Sequence, residues 1–290
     1  MISGAGLTTL AGALTALAAT PAGEGFLQLL EQGNKTVFAP SNTAFEALGA
    51  GALDNITLVS ELLAYHIVDE DITDLTIGVL PNNTAVETLR SDAAGFELDV
   101  TLPLILTRLS DDEDSFVVYN NNDTISVEGP TEVENLQVYI IDTVISLPPT
   151  LEEVVESSGL TSLAPLLEGL NGTEAPITIF APNNAAFEAI ASDLEGLSEE
   201  EVTAVLSNHI VNGTVLSQDI VVEGDINDAA TPLAGPAIPV TTNETGTFIT
   251  SGEASAQVIG TDFLFDGGVV HVSILARPGD KLIIRSSIVS

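Results

Sequence analysis

The chain contains no cysteine and no tryptophan, three tyrosines, and six basic residues against 42 acidic ones, a net charge of -36. The missing cysteines exclude disulfides, thiolate metal sites and cysteine nucleophiles. They leave the compartment open, since a large secreted domain can hold together without disulfides. The shortage of lysine and arginine is extreme, with no basic residue between Arg108 and Arg277. Nucleic acid is therefore excluded as a partner, because phosphate contacts need clustered cations. An anionic membrane surface is disfavoured for the same reason. Three tyrosines and no tryptophan also argue against a sugar-stacking cleft. No run has transmembrane length and apolarity. There is no G-x-S-x-G, no G-x-G-x-x-G after a strand and no phosphate loop, so the chain reads as no enzyme and no cofactor is called. Carboxylate pairs at glycosidase spacing carry no weight, because 42 acids always offer some pair.

What the chain does contain is a repetition. "TVFAPSNTAFEAL" at Thr36–Leu48 returns as "TIFAPNNAAFEAI" at Thr178–Ile190. "GLTTLAGAL" at Gly6–Leu14 returns as "GLTSLAPLL" at Gly159–Leu167, and "LLAYHIV" at Leu62–Val68 as "VLSNHIV" at Val205–Val211. "VYIIDTVI" at Val138–Ile145 resembles "VVHVSILA" at Val269–Ala276. Four blocks in one order imply two homologous domains, with residues 1–147 forming the first, 148–278 the second and 279–290 a tail. The proline-rich Leu147–Thr150 reads as a short, stiff linker. The opening "MISGAGLTTLAGALTALAAT" lacks a basic leader region and has a partner deep in the chain. It is therefore expected to be the first helix of domain 1, with any native signal peptide or GPI tail outside this chain.

Within one unit, Leu7, Leu10, Leu14 and Leu17 lie at helical spacing, as do Leu160, Leu163, Leu166 and Leu167, where Pro165 shortens the helix. "TVFA" predicts a short buried strand ended by Pro40. Asn42 is placed as N-cap of a helix that turns Phe45 and Leu48 to the core; Asn184, Phe187 and Ile190 take those places in the second copy. "LVSELLAYHIV" predicts a helix running into a strand. The segment from Thr101 to Gly129 alternates β-rich runs with Asn, Asp and Gly turns, as antiparallel hairpins do. Val138–Ile145 closes the unit as a strand. Helices first and strands second make each unit α+β.

These blocks together resemble the fasciclin (FAS1) domain, in two tandem copies covering almost the whole chain. The resemblance implies a β-sandwich wedge with an N-terminal helical layer, and an extracellular adhesion or matrix role in a fungal secreted or cell-surface protein. The family's central Tyr-His motif falls on Tyr65 and His66, and on Asn208 and His209, which makes these four the adhesion candidates. Asn208 departs from the motif, and Tyr139 in the first copy stands where His271 is in the second. From the residues alone, His66, His209 and His271 read as semi-buried histidines that orient backbone by hydrogen bonds. His66 and His209 sit in separate units, so no metal site is called. "DDED" at Asp111–Asp114 reads as a solvated hairpin tip, "NNND" at Asn120–Asp123 as a turn, and "LSEEEV" at Leu197–Val202 as a helix start capped by Ser198.

Seven N-x-T sequons stand at Asn34, Asn55, Asn82, Asn122, Asn171, Asn212 and Asn243. That excess favours a secreted, N-glycosylated chain. The expected function is non-catalytic adhesion at the cell surface or in the matrix, through contacts with proteins or polysaccharides and self-association through strand edges. The alternative is a binding module for a small apolar ligand or a cell-wall polysaccharide.

Overall fold

The chain divides into two units, residues 1–147 and 148–290. The computed structural model describes residues 7–49, 51, 53–73, 75–80, 82–90, 102–110, 115–120, 123–167, 176–194, 198, 207, 209–220, 224–225, 231–232, 239–243, 246–251 and 254–275. The "DDED" segment, Asn122, Asn171, Asn208, most of "LSEEEV" and the tail lie outside them.

Unit 1 contains helices Thr8–Ala18 (α1), Pro21–Leu30 (α2), Asn42–Ala47 (α3) and Ile56–Tyr65 (α4). Its strands are Lys35–Pro40 (β1), Ile67–Val68 (β2), Thr84–Val86 (β3), Leu104–Thr107 (β4), Val117–Asn120 (β5), Asp123–Val133 (β6) and Leu136–Ile141 (β7). They run in the order β2-β1-β7-β6-β5-β4-β3. Strands β1 and β7 pair in parallel, and the expected hairpins β4–β5–β6 are antiparallel. A bridge from Val68 to Thr88, and the Leu89 N–H donating to the Ile67 carbonyl at 2.8 Å, bring the chain beyond β3 against β2. The sheet thus folds over and encloses an inner core.

This enclosure explains the continuous apolar reading of β1. Every residue of the strand is buried because both faces are covered. Val37 and Ala39 face the helical layer with Leu10, Leu17, Phe45 and Leu63. Phe38 points the other way, among Tyr65, Leu106, Val118 and Tyr139. Neighbouring β7 alternates in the same sense, with Val138 toward the helices and Tyr139 and Ile141 inward.

Unit 2 contains helices Leu151–Ser157 (α5), Ala164–Leu167 (α6), Asn184–Leu194 (α7) and Ser217–Ile220 (α8). Strands Ile177–Pro182 (β8), Ile210–Asn212 (β9), Gly224–Asp225 (β10), Thr231–Pro232 (β11), Pro239–Asn243 (β12), Gly246–Ser251 (β13), Ala254–Phe265 (β14) and Gly268–Leu275 (β15) order as β10-β12-β13-β14-β15-β8-β9-β11. The parallel pair recurs as β8–β15. Ile177, Ile179 and Ala181 face the helices, and Phe180 faces Val211, Ile220, Val240 and Ile249. Each unit is therefore α+β, a helical layer on a folded sheet.

Several local expectations change. The N-cap after β1 is Ser41, whose hydroxyl accepts the Ala44 N–H at 3.2 Å, and in unit 2 it is Asn183, which accepts from Ala186 at 2.9 Å. Asn42 is instead the first helical residue. Its Oδ1 accepts the Thr9 N–H at 3.0 Å and its Nδ2 donates to Thr8 Oγ1 at 2.9 Å. Asn184 makes the same pair of bonds to Ser162 and Thr161, at 3.0 and 3.1 Å. This asparagine ties the helix after the strand to the residues that open the unit. Leu48 follows the end of α3 and is 42% exposed, so only Phe45 turns inward. Phe187 is half-buried where Phe45 is buried. The closing strand stops at Ile141, short of Ile145. In unit 2 the repeated Gly159–Leu167 block is a turn followed by four-residue α6, which places Pro165 in a first turn where no N–H is missed. Helices α2 and α5 add to the expected elements. Their signals are Thr20 capping a helix with Pro21 at its first position, and a capping box in which Thr150 and Glu153 satisfy each other's backbone N–H.

Candidate functional site

The Tyr-His pair closes α4. Asn55 caps that helix by accepting the Thr57 and Leu58 N–H groups, and Val59 and Leu63 hold it on the sheet. At its end Tyr65 enters the inner core, 3% exposed, and its hydroxyl donates to the Pro103 carbonyl at 3.0 Å. Burial raises its pKa above the ordinary tyrosine value.

His66 is 2% exposed and fully engaged. Its Nε2 accepts the Ile145 N–H at 2.9 Å, so Nδ1 carries the proton and donates to the Leu62 carbonyl at 2.7 Å. The first bond ties the closing segment to α4 across 79 residues; the second adds a ring N–H to a Leu62 carbonyl that also accepts the His66 backbone N–H at 3.2 Å. Burial pushes the His66 pKa down to about 4, against a smaller upward pull from the Leu62 carbonyl. The His66 carbonyl also accepts the Phe38 N–H at 2.9 Å. Tyr65 and His66 are thus both buried and bonded within the unit.

The second copy keeps the backbone and changes the filling. His209 is buried, and its carbonyl accepts the Phe180 N–H at 2.8 Å. Thr178 Oγ1 donates to the Gly213 carbonyl at 2.7 Å and accepts the Val215 N–H at 2.8 Å. Thr36 makes the same two bonds in unit 1, to Glu70 and from Ile72, at 2.9 and 3.2 Å. Where Tyr139 stacks on Phe38 at 5.8 Å, His271 stacks on Phe180 at 5.3 Å. His271 Nδ1 accepts the Asp262 N–H at 3.3 Å and Nε2 donates to the Val215 carbonyl at 2.7 Å. Burial lowers the His271 pKa, against an upward pull from the Asp262 carboxylate. That carboxylate accepts both the backbone N–H of Ser217, at 2.8 Å, and its hydroxyl.

Ser217, Asp262 and His271 are three residue types of a hydrolytic triad in a different arrangement. The serine hydroxyl donates to the carboxylate, and the imidazole N–H donates to a backbone carbonyl. The three are 2%, 1% and 0% exposed. Both ring nitrogens of His271 are engaged by backbone groups, so neither is placed to accept the serine proton.

The described cations are also spent inside unit 1. Lys35 pairs with Asp69, Arg90 with Glu61 at 3.1 Å, and Arg108 Nε donates to the Ile77 carbonyl at 2.9 Å. Among the described residues no cluster of three or more His, Asp or Glu side chains is disposed to hold a metal ion, and no helix is long and apolar enough to cross a membrane. A cavity of about 40 Å³ lies between α1, α4 and the sheet, lined by Leu10, Leu14, Leu63, His66 and Leu136 among others. Small-molecule pockets are roughly 300–1,000 Å³. The sequon asparagines Asn34, Asn55, Asn82 and Asn212 are exposed; the side chain of Asn243 lies outside the described set.

The family model for the fasciclin domain matches residues 6–148 and again 150–273. The chain is 27% identical over 256 residues to a fasciclin-like arabinogalactan protein of Arthroderma benhamiae, covering 83% of this chain and 58% of that one. It is 26% identical over 151 residues to the fasciclin-like arabinogalactan protein CTB11 of Cercospora beticola, covering 50% of this chain and 39% of the relative. The chain thus spans at most 58% of the length of these curated relatives. Among solved structures it is similar to a FAS1 domain pair from the insect cell adhesion molecule fasciclin I, at 15% identity and a TM-score of 0.41, over 91% of this chain and 95% of that one.

Proposed function

Given that this chain belongs to the fasciclin domain family, we propose that it is a non-catalytic adhesion or matrix glycoprotein of the cell exterior, binding proteins or polysaccharides through non-ionic contacts. The observation that carries this reading is the commitment of Lys35, Arg90 and Arg108 to internal partners. A surface with net charge of -36 and its described cations turned inward repels anionic partners. Contact must then come from loop backbone, strand edges and apolar side chains. The sealed Ser217–Asp262–His271 group supports a structural role for the residues nearest to a catalytic set. The sequons and the relatives named as arabinogalactan proteins support a glycan-bearing chain.

The test is attachment of the glycosylated, secreted protein to cells and to cell-wall polysaccharide as salt is raised at neutral pH. Attachment holds or strengthens, because salt screens acid–acid repulsion. Weakening with salt would show that attractive charge contacts dominate, and would overturn the proposal.

A further inference from the structure

Folding makes the sequons unequal. At Asn34 the threonine of the tripeptide, Thr36, is 0% exposed within β1 and its hydroxyl is bonded on both sides. At Asn82 the middle residue Asn83 is buried, and at Asn212 the two following residues are half-buried. At Asn55 the whole tripeptide, Asn55, Ile56 and Thr57, is exposed. Asn55 Oδ1 accepts the Thr57 and Leu58 N–H groups at 3.1 and 3.3 Å, which caps α4. Among the described residues no hydrogen bond engages its Nδ2. A sugar joined to Nδ2 replaces one N–H and leaves the cap untouched.

The surroundings of Asn55 are unusual for so acidic a chain. Leu48, Leu53, Ile56 and Leu58 are 42%, 36%, 36% and 44% exposed. They account for four of the seven exposed large hydrophobic side chains among the described residues, all within one segment from the end of α3 into the first turn of α4. Asp54 is the only charged residue between Leu48 and Leu58. A run of exposed apolar side chains with one acidic group along it carries less repulsion than the rest of so acidic a chain, and so tends to associate. The sequon stands inside it.

We propose that Asn55 carries an N-linked oligosaccharide that lies over the Leu48, Leu53, Ile56 and Leu58 patch and keeps it from binding a second copy of the chain. This rests on the reading of the chain as a secreted glycoprotein. The polar sugar takes the place of water over the apolar side chains, and the patch becomes a contact surface only where the glycan is absent or trimmed.

The experiment uses the full chain secreted from a glycosylating host, with glycopeptide mass spectrometry at every sequon. Thr57→Ala and Asn55→Ser each remove the sequon, add no charge to the patch and keep a capping residue at position 55. Asn55 is occupied in the parent. Both variants bind more of an apolar-surface dye, and their weight-average mass in light scattering rises about twofold, as a dimer requires. Trimming the folded parent's glycans enzymatically gives the same change without mutation. Adding Leu53→Ser and Leu58→Ser to Thr57→Ala restores the monomer. An unmodified Asn55 in a protein glycosylated elsewhere overturns this inference and leaves the glycoprotein reading standing; no glycan at any sequon overturns both. An occupied Asn55 whose loss by mutation and by trimming changes neither dye binding nor mass overturns the covering role.

Discussion

The two units place the same polar bonds at the same backbone positions and fill the space between them differently. Thr36 and Thr178 each bridge a carbonyl and an amide from the segment after the next strand. Asn42 and Asn184 each fasten the helix after that strand to the opening residues. His66 and His209 each offer a carbonyl to a phenylalanine amide. The partner of that phenylalanine ring is free to change. Unit 1 surrounds Phe38 with Tyr139 and Phe116, and unit 2 stacks His271 on Phe180. Buried imidazole needs two partners, and unit 2 supplies them from Val215 and from Asp262, whose carboxylate Ser217 in turn satisfies. Bonds that close the backbone allow one solution, whereas an apolar ring contact allows several provided every buried polar atom is paired.

The largest effects come from the rings both units share. Phe38 and Phe180 are both 0% exposed, so Phe→Ala at either costs about 3–5 kcal/mol in denaturant unfolding. The same change separates the next pair: Phe45→Ala falls in that range, while half-buried Phe187→Ala costs about half as much. Equal losses for Phe45 and Phe187 would remove the distinction between the two helical layers.

Acid sharpens the comparison next. His66 is neutral in the folded unit down to about pH 4, while an unfolded histidine takes up its proton near 6.5. Between those values the unfolded chain binds more protons, so the stability of unit 1 is full above about pH 6.5 and falls as pH drops toward 4. The shift corresponds to about 3 kcal/mol. Denaturant unfolding at a series of pH values measures it, and His66→Gln flattens the unit 1 response while leaving that of His271 in unit 2. An unchanged slope in the variant would move the acid response to other groups.

Smaller and equal in both units is the threonine bridge. Thr36→Val and Thr178→Val keep the shape and strand a carbonyl and an amide, for about 1–3 kcal/mol each. Smallest is the cap. Ser41→Ala and Asn183→Ala each remove one bond to a helix N-terminus, for about 1 kcal/mol. Melting temperatures of the paired variants test whether unlike caps at one position carry like energies.

The sequence by itself determined the duplication, the α+β order, the buried strand and the hairpins, because each leaves a local trace. A strand covered on both faces reads as a nearly unbroken apolar run, Val37–Ala39 in β1, and repeated blocks must recur in order. It also set the capping box at Thr150 and Glu153, a threonine followed three residues later by a glutamate. Only the tertiary structure decided the roles of the polar residues. Asn42 looks like a cap from its neighbours alone, but its amide reaches Thr8 and Thr9, 34 and 33 residues away. His66 reads as a semi-buried histidine that orients backbone, but its neighbours in sequence do not reveal that its ring accepts an N–H from 79 residues on. The patch around Asn55 was equally hidden, because whether Leu53 or Leu58 is covered depends on how far the helical layer extends over the sheet. Hydrophobic periodicity is written within a few residues, whereas a hydrogen-bond partner is chosen by whatever chain the fold brings within 3 Å.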